Sequence, residues 1–125
     1  MYLLDTHTLI WTLFESKKLS FDAKQTIAAN RELFVSIASL WEIAIKQGLK
    51  KIGISASIRE IERNANKAGI FVLDIRASHL DAMKKLPNIH NDPFDRLIIA
   101  QAIEENLTLI TKGSIIPKYN ARTIW

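Results

Sequence analysis

Three acidic residues stand at positions where a carboxylate would be costly without a partner. Asp5 follows a short apolar run, Glu42 lies within the apolar segment Leu40–Ile45, and Asp95 is followed by Leu97–Ala100. A charged group in apolar surroundings is unfavourable unless another group pairs with it. Each acid also has a simpler interpretation. Asp5 could cap the helix after it, Glu42 could lie exposed on a helix, and Asp95 could interact with its helix dipole at a benefit of roughly 0.3–1 kcal/mol. Whether the three acids lie close together therefore decides between these separate roles and a shared site.

A cluster of these three acids would repel itself and would need cations. Carboxylate oxygens are hard ligands that suit Mg²⁺ or Mn²⁺, and Mg²⁺ held by a few carboxylates readily binds phosphate oxygens as well. An ion of this kind polarises a scissile phosphate and stabilises the leaving oxygen. If the acids meet, the chemistry that they indicate is hydrolysis of a phosphodiester bond.

The apolar pattern predicts the elements that must position these acids. Buried strands are predicted at 2–4, 33–36, 70–73 and 107–111, and 122–125 is a candidate for a short fifth strand. Helices are predicted at 8–14, from 20, from 39, from Ser55 or Ser57 to Gly69, at 77–86, and from Asp92 to Glu105 or Asn106. Strands that alternate with helices require crossover connections, so the predicted fold is a three-layer α/β/α sandwich around a mostly parallel sheet of four to five strands.

This topology brings the acids together. Sites in open α/β sheets form beyond the carboxyl ends of the strands. Asp5 ends the first strand, Glu42 lies early in the helix after the second strand, and Asp95 lies in the opening turn of the helix that starts at Asp92. We therefore expect Asp5, Glu42 and Asp95 to converge at one edge of the sheet.

Length and composition limit the class of protein. The chain has 125 residues, which suits a single domain over 1–125, and it has no cysteine, so any metal must be held by oxygen or imidazole. Seventeen Lys and Arg against thirteen Asp and Glu give a net charge of +4, which favours polyanionic partners only weakly. With no signal-peptide pattern and no apolar run of about 20 residues, the expected location is the cytoplasm rather than a membrane.

With these residues assembled, the sequence resembles the PIN-domain family, and within it the VapC-like ribonuclease toxins of bacterial toxin–antitoxin modules. Three blocks carry the resemblance, in the family's order: Leu3-Leu-Asp-Thr-His7, Ser36-Ile-Ala-Ser-Leu-Trp-Glu-Ile-Ala-Ile-Lys46, and Asp92-Pro-Phe-Asp-Arg-Leu-Ile-Ile-Ala-Gln-Ala102. The later strand Leu107-Thr-Leu-Ile-Thr111 and the closing Trp125 also fit, so the resemblance covers nearly the whole chain.

The resemblance implies a PIN-like fold, RNA as substrate and Mg²⁺, or Mn²⁺, as cofactor. It implies that Asp5, Glu42 and Asp95 are the metal-binding and catalytic acids, with Asp92 as an additional candidate ligand. Thr6 and Ser36 would orient carboxylates or waters, and local capping is an equally good interpretation of both. The resemblance further implies a homodimer, and a small cognate antitoxin whose carboxyl-terminal segment covers the acidic groove.

One position departs from the family pattern. Members commonly carry a fourth acid just after the strand that corresponds to Leu107–Thr111, where this chain has Gly113. Glycine offers no ligand, so a second metal ion would be held weakly unless Ser114 or Asp92 compensates. The alternative function is therefore a PIN fold with weakened or lost catalysis that persists as an RNA-binding or protein-interaction module.

Two other classes of α/β protein fit the sequence poorly. A response-regulator receiver domain requires further acids near the first strand and a phosphoacceptor in the third, and Asp5 stands alone at its strand end. A haloacid-dehalogenase-type phosphatase requires a second aspartate two residues after Asp5, where this chain has His7.

Several charged residues receive no catalytic assignment. Arg96 is interpreted as a surface salt-bridge residue, with contact to a site acid or to RNA phosphate as the alternative. The isolated histidines are not assigned as ligands; they are His7, His79 and His90. Six lysines are candidates for contacts to RNA phosphates, although any solvated lysine would look the same; they are Lys17, Lys18, Lys46, Lys50, Lys51 and Lys112.

Overall fold

The computed structural model describes residues 1–30 and 32–125. The strands are β1 (Tyr2–Leu4), β2 (Leu33–Ser36), β3 (Ile70–Leu73), β4 (Thr108–Ile110) and β5 (Thr123–Ile124). The helices are α1 (Thr6–Phe14), α2 (Phe21–Ala29), α3 (Ile37–Gly48), α4 (Ile58–Lys67), α5 (Ala77–Lys84) and α6 (Pro93–Glu104), with single 3₁₀ turns at Ser16–Lys18 and Ile116–Lys118. The predicted strands are confirmed, including the short fifth strand.

The five strands form one parallel sheet in the order β3-β2-β1-β4-β5. Strand β1 lies at the centre, where Leu4 is opposite Val35 of β2 on one side and opposite Ile110 of β4 on the other. The chain adds strands outward from β1 to β3 and then returns to place β4 on the opposite side of β1. A crevice forms at such a reversal, beyond the carboxyl ends of the two strands that flank it.

Successive residues of β1 face opposite layers, as the pleat of a strand requires. Leu4 belongs to a core that it shares with Leu9 of α1 and Ile43 of α3. Its neighbour Leu3 belongs to a second core with Ile98 of α6. Helices thus cover both faces of the sheet, which confirms the predicted three-layer α/β/α sandwich.

The helices α1 and α3 begin earlier than the sequence predicts, and both leave the sheet edge without an intervening loop. Helix α1 begins at Thr6 because Asp5 caps it, accepting a hydrogen bond from Thr8 N at 2.9 Å. Helix α3 begins at Ile37 because Ser36, the last residue of β2, caps it through its hydroxyl oxygen. Polar side chains in the first turns of both helices consequently remain at the carboxyl edge of the sheet.

Other helix ends follow local capping. Ser57, one of the two predicted caps, accepts from Glu60 N at 3.1 Å, and α4 stops before Gly69, whose φ of +80° suits glycine. Helix α5 ends at Lys84 rather than at the predicted Leu86. In the part of the chain that the structure describes, no helix is long and apolar enough to cross a bilayer.

Candidate active site

A pocket of about 460 Å³ lies beyond the carboxyl ends of β1 and β4, and its wall includes all three predicted acids. Asp5 directly follows β1, Glu42 lies in the second turn of α3, and Asp95 lies in the first turn of α6. Asp92, the fourth candidate, also lines this pocket. The structure therefore brings together acids that are far apart in the sequence.

The carboxylate of Asp5 is held by the first turn of α1 and by the residue that follows β4. Its Oδ1 accepts from Thr8 N at 2.9 Å, and its Oδ2 accepts from the hydroxyl of Thr111, the residue after β4, at 2.5 Å. Gly113 N in turn donates to Thr111 Oγ1 at 3.0 Å. Asp5 is only 9% exposed, so these donors compensate a carboxylate that water reaches poorly. The sequence interpretation missed Thr111, although its polar side chain directly follows the apolar residues Leu109 and Ile110 of β4.

Glu42 is buried and paired, which rules out the alternative of an exposed helical acid. Thr6 Oγ1 donates to Glu42 Oε1 at 2.6 Å, and Lys46 Nζ lies 2.9 Å from Glu42 Oε2. Thr6 Oγ1 is also 2.9 Å from Ser39 Oγ. Because the single Thr6 hydroxyl proton is directed at the carboxylate, Ser39 acts as the donor to Thr6. The loop-free start of α3 places Ser39 and Glu42 on the side of α3 that faces α1.

Asp95 is an acid of this site whose pKa is shifted by its surroundings. Burial raises the pKa of its carboxyl group above the ordinary aspartate range, and repulsion from Asp92 raises it further. Asp5 and Glu42 raise the pKa by smaller amounts, while a hydrogen bond with His90 lowers it. The acids are thus close enough to repel one another, and the pocket favours a cation.

Asp92 acts locally as the cap of α6. Its Oδ1 accepts from Phe94 N at 2.9 Å and from Asp95 N at 3.0 Å. This geometry orients the first turn of α6, which carries Asp95, and it leaves Asp92 on the pocket wall.

His90, which received no role from the sequence, contacts the site through a defined hydrogen-bond chain. Tyr119 Oη accepts from His90 N at 3.2 Å and from Arg96 Nη1 at 3.3 Å, so the Tyr119 proton is left for His90 Nδ1 at 2.6 Å. The proton of a neutral His90 ring therefore resides on Nε2, which lies 3.4 Å from Asp95 Oδ2. Its position two residues before Asp92 is a sequence signal that it lies near the site, but Tyr119 is distant in sequence and gives none.

The predicted surface salt bridge of Arg96 is wrong. The guanidinium donates to Pro87 O at 2.9 Å and to Met83 O at 3.4 Å, in addition to Tyr119. These carbonyls belong to the end of α5 and the loop after it. Arg96 thereby fixes the loop that carries His90.

The other polar residues named in the sequence analysis differ in their contacts and in their distance from the pocket. Ser36 Oγ accepts from Ala38 N at 3.0 Å, so the capping interpretation holds for Ser36, and Ser39 rather than Ser36 contacts Thr6. His79 is fully buried away from the pocket, where its Nε2 lies 2.9 Å from Glu105 Oε1. His7 lines the pocket.

Two of the six candidate lysines lie on the pocket wall. They are Lys46, which pairs with Glu42, and Lys112, which follows Thr111. Lys18 instead pairs with Glu15 at 3.0 Å. Of the six, Lys17, Lys18, Lys50 and Lys51 are absent from the described wall of this pocket.

Gly113 and Ser114 line the pocket at the place where the sequence lacks a fourth acid. A Cβ atom at Gly113 would lie 3.2 Å from Thr111 Oγ1 and 3.3 Å from Ile116 Cδ1. Both distances are shorter than ordinary van der Waals contact, so a larger side chain requires a small shift of these two side chains.

The donor set suits a hard divalent cation. Among residues 1–30 and 32–125, however, no three Asp, Glu or His side chains are already grouped around a single ion position. Asp5, Glu42 and Asp95 each turn instead toward donors of the protein itself, as mutually repelling anions do. A carboxylate oxygen that accepts one hydrogen bond retains a second lone pair, so these contacts are compatible with metal binding.

Residues 2–121 match the family model of the PIN domain, and the chain belongs to that family. Over 114 residues it is 31% identical to "Ribonuclease VapC22" of Mycobacterium tuberculosis, an alignment that covers 88% of this chain and 85% of that protein.

Two solved structures share the fold. One is the crystal structure of VapBC2 from Rickettsia felis bound to a DNA fragment from their promoter, with a TM-score of 0.71, 17% identity, and coverage of 98% of this chain and 96% of that one. The other is a toxin–antitoxin complex from Klebsiella pneumoniae, with a TM-score of 0.60, 19% identity, and coverage of 91% and 88%. They support the same three-layer architecture.

Proposed function

We propose that this protein is a divalent-metal-dependent endoribonuclease whose metal-binding acids are Asp5, Glu42 and Asp95, with Asp92 as a further candidate ligand. The observation that carries the proposal is the convergence of the three acids, from three separate elements, on one pocket. The similarity to a protein named as a ribonuclease supports RNA as the substrate. The net charge of +4 is consistent with a polyanionic substrate.

The ion, Mg²⁺ or Mn²⁺, would supply charge neutralisation and polarise the scissile phosphate. The residues of the chain set the geometry. Thr111 and the amide of Thr8 hold Asp5, and Thr6 holds Glu42. Lys46 now neutralises Glu42, and its side chain is 34% exposed. The exposed part of the Lys46 side chain would allow its ammonium to donate to a phosphate oxygen of RNA as well.

The nuclease proposal is tested with purified protein, structured RNAs and Mg²⁺ or Mn²⁺. We expect cleavage that EDTA stops and that Asp5→Asn and Asp95→Asn both abolish. Asp81→Asn is the matched control, because Asp81 is an acid on α5 with a 74% exposed side chain. Cleavage that survives both pocket substitutions would remove these acids from the mechanism.

A second function competes with this proposal because Gly113 lies on the pocket wall. A PIN fold with one acid fewer can persist as an RNA-binding or protein-interaction module. RNA that binds but remains intact with either metal, at every protein concentration tried, would favour this second function.

We further propose that the protein is the toxin of a toxin–antitoxin module and that it acts on RNA in the cytoplasm. The support is the similarity to "Ribonuclease VapC22" and, at the level of fold, to chains in a VapBC2 structure and a toxin–antitoxin complex. The partner would be a small antitoxin whose carboxyl-terminal segment covers the acidic pocket. Expression of the chain alone should arrest growth, and an antitoxin encoded beside it should restore growth. Harmless overproduction of folded protein would contradict the toxin assignment.

A homodimer is also proposed, and helix α3 provides the surface to test. Four of its apolar side chains, spaced four residues apart, are exposed; they are Ile37, Trp41, Ile45 and the capping residue Leu49. We expect light scattering to give a mass near twice the 14.2 kDa of the chain and Trp41→Glu to halve that mass. Phe21→Glu, at a 74% exposed aromatic residue of α2, is the control. A wild-type protein that stays monomeric would refute the dimer.

A further inference from the structure

Two aromatic side chains and a lysine line the acidic pocket without a role in the chemistry proposed above. His7 and Trp11 lie one helical turn apart on α1, and their ring centroids are 5.6 Å apart. Lys112 Nζ lies 5.9 Å from the centroid of the Trp11 ring. His7 is exposed and Trp11 is half-buried, so both rings remain accessible from the pocket.

The pocket is larger than metal binding alone requires. Its volume of about 460 Å³ falls in the range of roughly 300–1,000 Å³ that is typical of sites for organic ligands. A water molecule occupies only about 30 Å³ in the liquid, so one or two hydrated ions fill part of this volume. The remaining space lies against both acids and aromatic rings, which suits a ligand with a charged part and a flat apolar part.

The aromatic pair and the acids are attached to the same two segments. Asp5 caps the helix that carries His7 and Trp11. Lys112 follows Thr111, whose hydroxyl donates to Asp5. The distance between the aromatic rings and the acid cluster is therefore set by short, hydrogen-bonded stretches of chain.

Packing against neighbouring side chains fixes the orientation of the Trp11 ring. One part of the side chain packs against the core below α1, and the ring of Trp125 lies 5.7 Å away at an interplanar angle of 59°. Packing against the core explains the buried part of Trp11 but not the part that lines the pocket. A ring that is already held in place loses little conformational entropy when a ligand stacks on it.

We propose that His7, Trp11 and Lys112 form a subsite for an unpaired nucleobase of the RNA, next to the phosphate that lies at the acids. The base stacks on the exposed surface of His7 and Trp11, and the Lys112 ammonium moves from the indole to a backbone phosphate. Stacking on aromatic side chains accepts any base but requires that the base be unstacked from its own strand. The inference rests on the proposed ribonuclease function, and it restricts the substrate to RNA that is single-stranded at the cleavage site.

The test uses a short fluorescein-labelled single-stranded RNA and a set of derivatives, each with one abasic nucleotide. Binding is measured by fluorescence anisotropy with Ca²⁺ in place of Mg²⁺, and gels verify that the RNA stays intact. For the wild type, we expect an abasic nucleotide at one position to weaken binding by roughly tenfold to a hundredfold, the range found when base stacking is removed. The same RNA within a duplex should bind at least as weakly.

The substitution Trp11→Leu keeps an apolar side chain for the core and removes the aromatic surface. This variant should bind the intact RNA as weakly as the wild type binds the most affected abasic RNA, and it should no longer distinguish the two. His7→Ala, at an exposed position, tests the subsite without disturbing the core, and it should reduce the discrimination. Phe21→Leu, at an exposed aromatic residue outside the pocket, should leave the difference in binding between intact and abasic RNA unchanged.

If both Trp11→Leu and His7→Ala retain the full abasic effect of the wild type, the subsite does not exist. Metal-dependent cleavage that Asp5→Asn abolishes would then still support the ribonuclease. If the wild-type protein neither binds nor cleaves RNA, the subsite and the proposed function fail together.

Discussion

Replacement of Thr111 by valine removes one hydroxyl group from the centre of the site and keeps the volume of the side chain. Thr111 is 3% exposed, and its Oγ1 donates to Asp5 Oδ2 at 2.5 Å. A hydrogen bond to a charged group contributes about 1.5–3 kcal/mol, and Gly113 N loses its acceptor as well. We expect the free energy of unfolding to fall by about 2 kcal/mol. For a domain of this size, the melting temperature then falls by roughly 8 °C.

The same substitution should lower activity, because Asp5 loses a group that orients it toward the pocket. Loss of a residue that orients a metal ligand typically lowers metal affinity or activity by about 10- to 100-fold. Urea unfolding followed by circular dichroism measures the stability, and Mn²⁺ titration by calorimetry with RNA cleavage measures the function. Thr111→Ser, which keeps the hydroxyl, should retain activity near that of the wild type.

Thr12→Val provides a matched control for the loss of a threonine hydroxyl. Thr12 Oγ1 donates to Thr8 O within α1 at 2.7 Å, so its removal should change the stability by less than about 0.5 kcal/mol. The reasoning is refuted if Thr111→Val is as stable and as active as Thr12→Val. It is also refuted if Thr111→Ser loses as much activity as Thr111→Val.

Three further predictions concern the charges of the pocket and their supports. Burial raises the pKa of the Asp95 carboxyl group, so the folded state keeps the carboxyl proton to higher pH than the unfolded chain does. The protonated carboxyl therefore favours the folded state, and this contribution to the free energy of unfolding is lost as pH rises through the native pKa. At neutral pH, Asp95→Asn should therefore unfold at or above the wild-type urea midpoint while cleavage disappears; a marked loss of stability would contradict this. Gly113→Asp should strengthen Mn²⁺ binding in calorimetry yet lower the metal-free stability by about 1 kcal/mol, because its Cβ crowds Ile116 Cδ1 at 3.3 Å; unchanged affinity would show that the position does not reach the metal. Tyr119→Phe removes the hydroxyl that fixes His90, so kcat should fall more than KM rises; a rise in KM with kcat unchanged would assign His90 to substrate binding instead.

The strands were predictable from the sequence because their signals are local and strong. The runs Leu33–Val35 and Ile70–Leu73 are short and apolar, and each is followed by a polar residue, as expected for buried parallel strands whose carboxyl ends lie at a polar edge. The parallel topology then requires that residues after the strands share one edge. From that rule alone, Asp5, Glu42 and Asp95 were expected on a common site, and all three line the same pocket.

Thr6, which the sequence analysis named as a residue that could orient a carboxylate, does donate to Glu42. The other supports of the acids were not predictable, because they depend on tertiary geometry between distant residues. Thr111 reads as an ordinary strand residue until β4 lies beside β1, and His90 reads as an isolated loop residue until Tyr119 fixes its ring. Arg96 was misassigned for a related reason. The charge of a guanidinium is evident from the sequence, but the backbone carbonyls that the fold places beside it, such as that of Pro87, are not.

The hydrogen bond between Asp5 and Thr111 joins residues separated by 106 positions, and this separation has a consequence for the timing of synthesis. A ribosome adds about 5–20 residues per second, so Thr111 emerges roughly 5–20 seconds after Asp5. During that interval, the growing chain has β1 without its neighbour β4, and the Asp5 carboxylate lacks the hydroxyl that holds it. The pocket as described thus forms only after Thr111 has been synthesised, 106 residues after the acid that it holds.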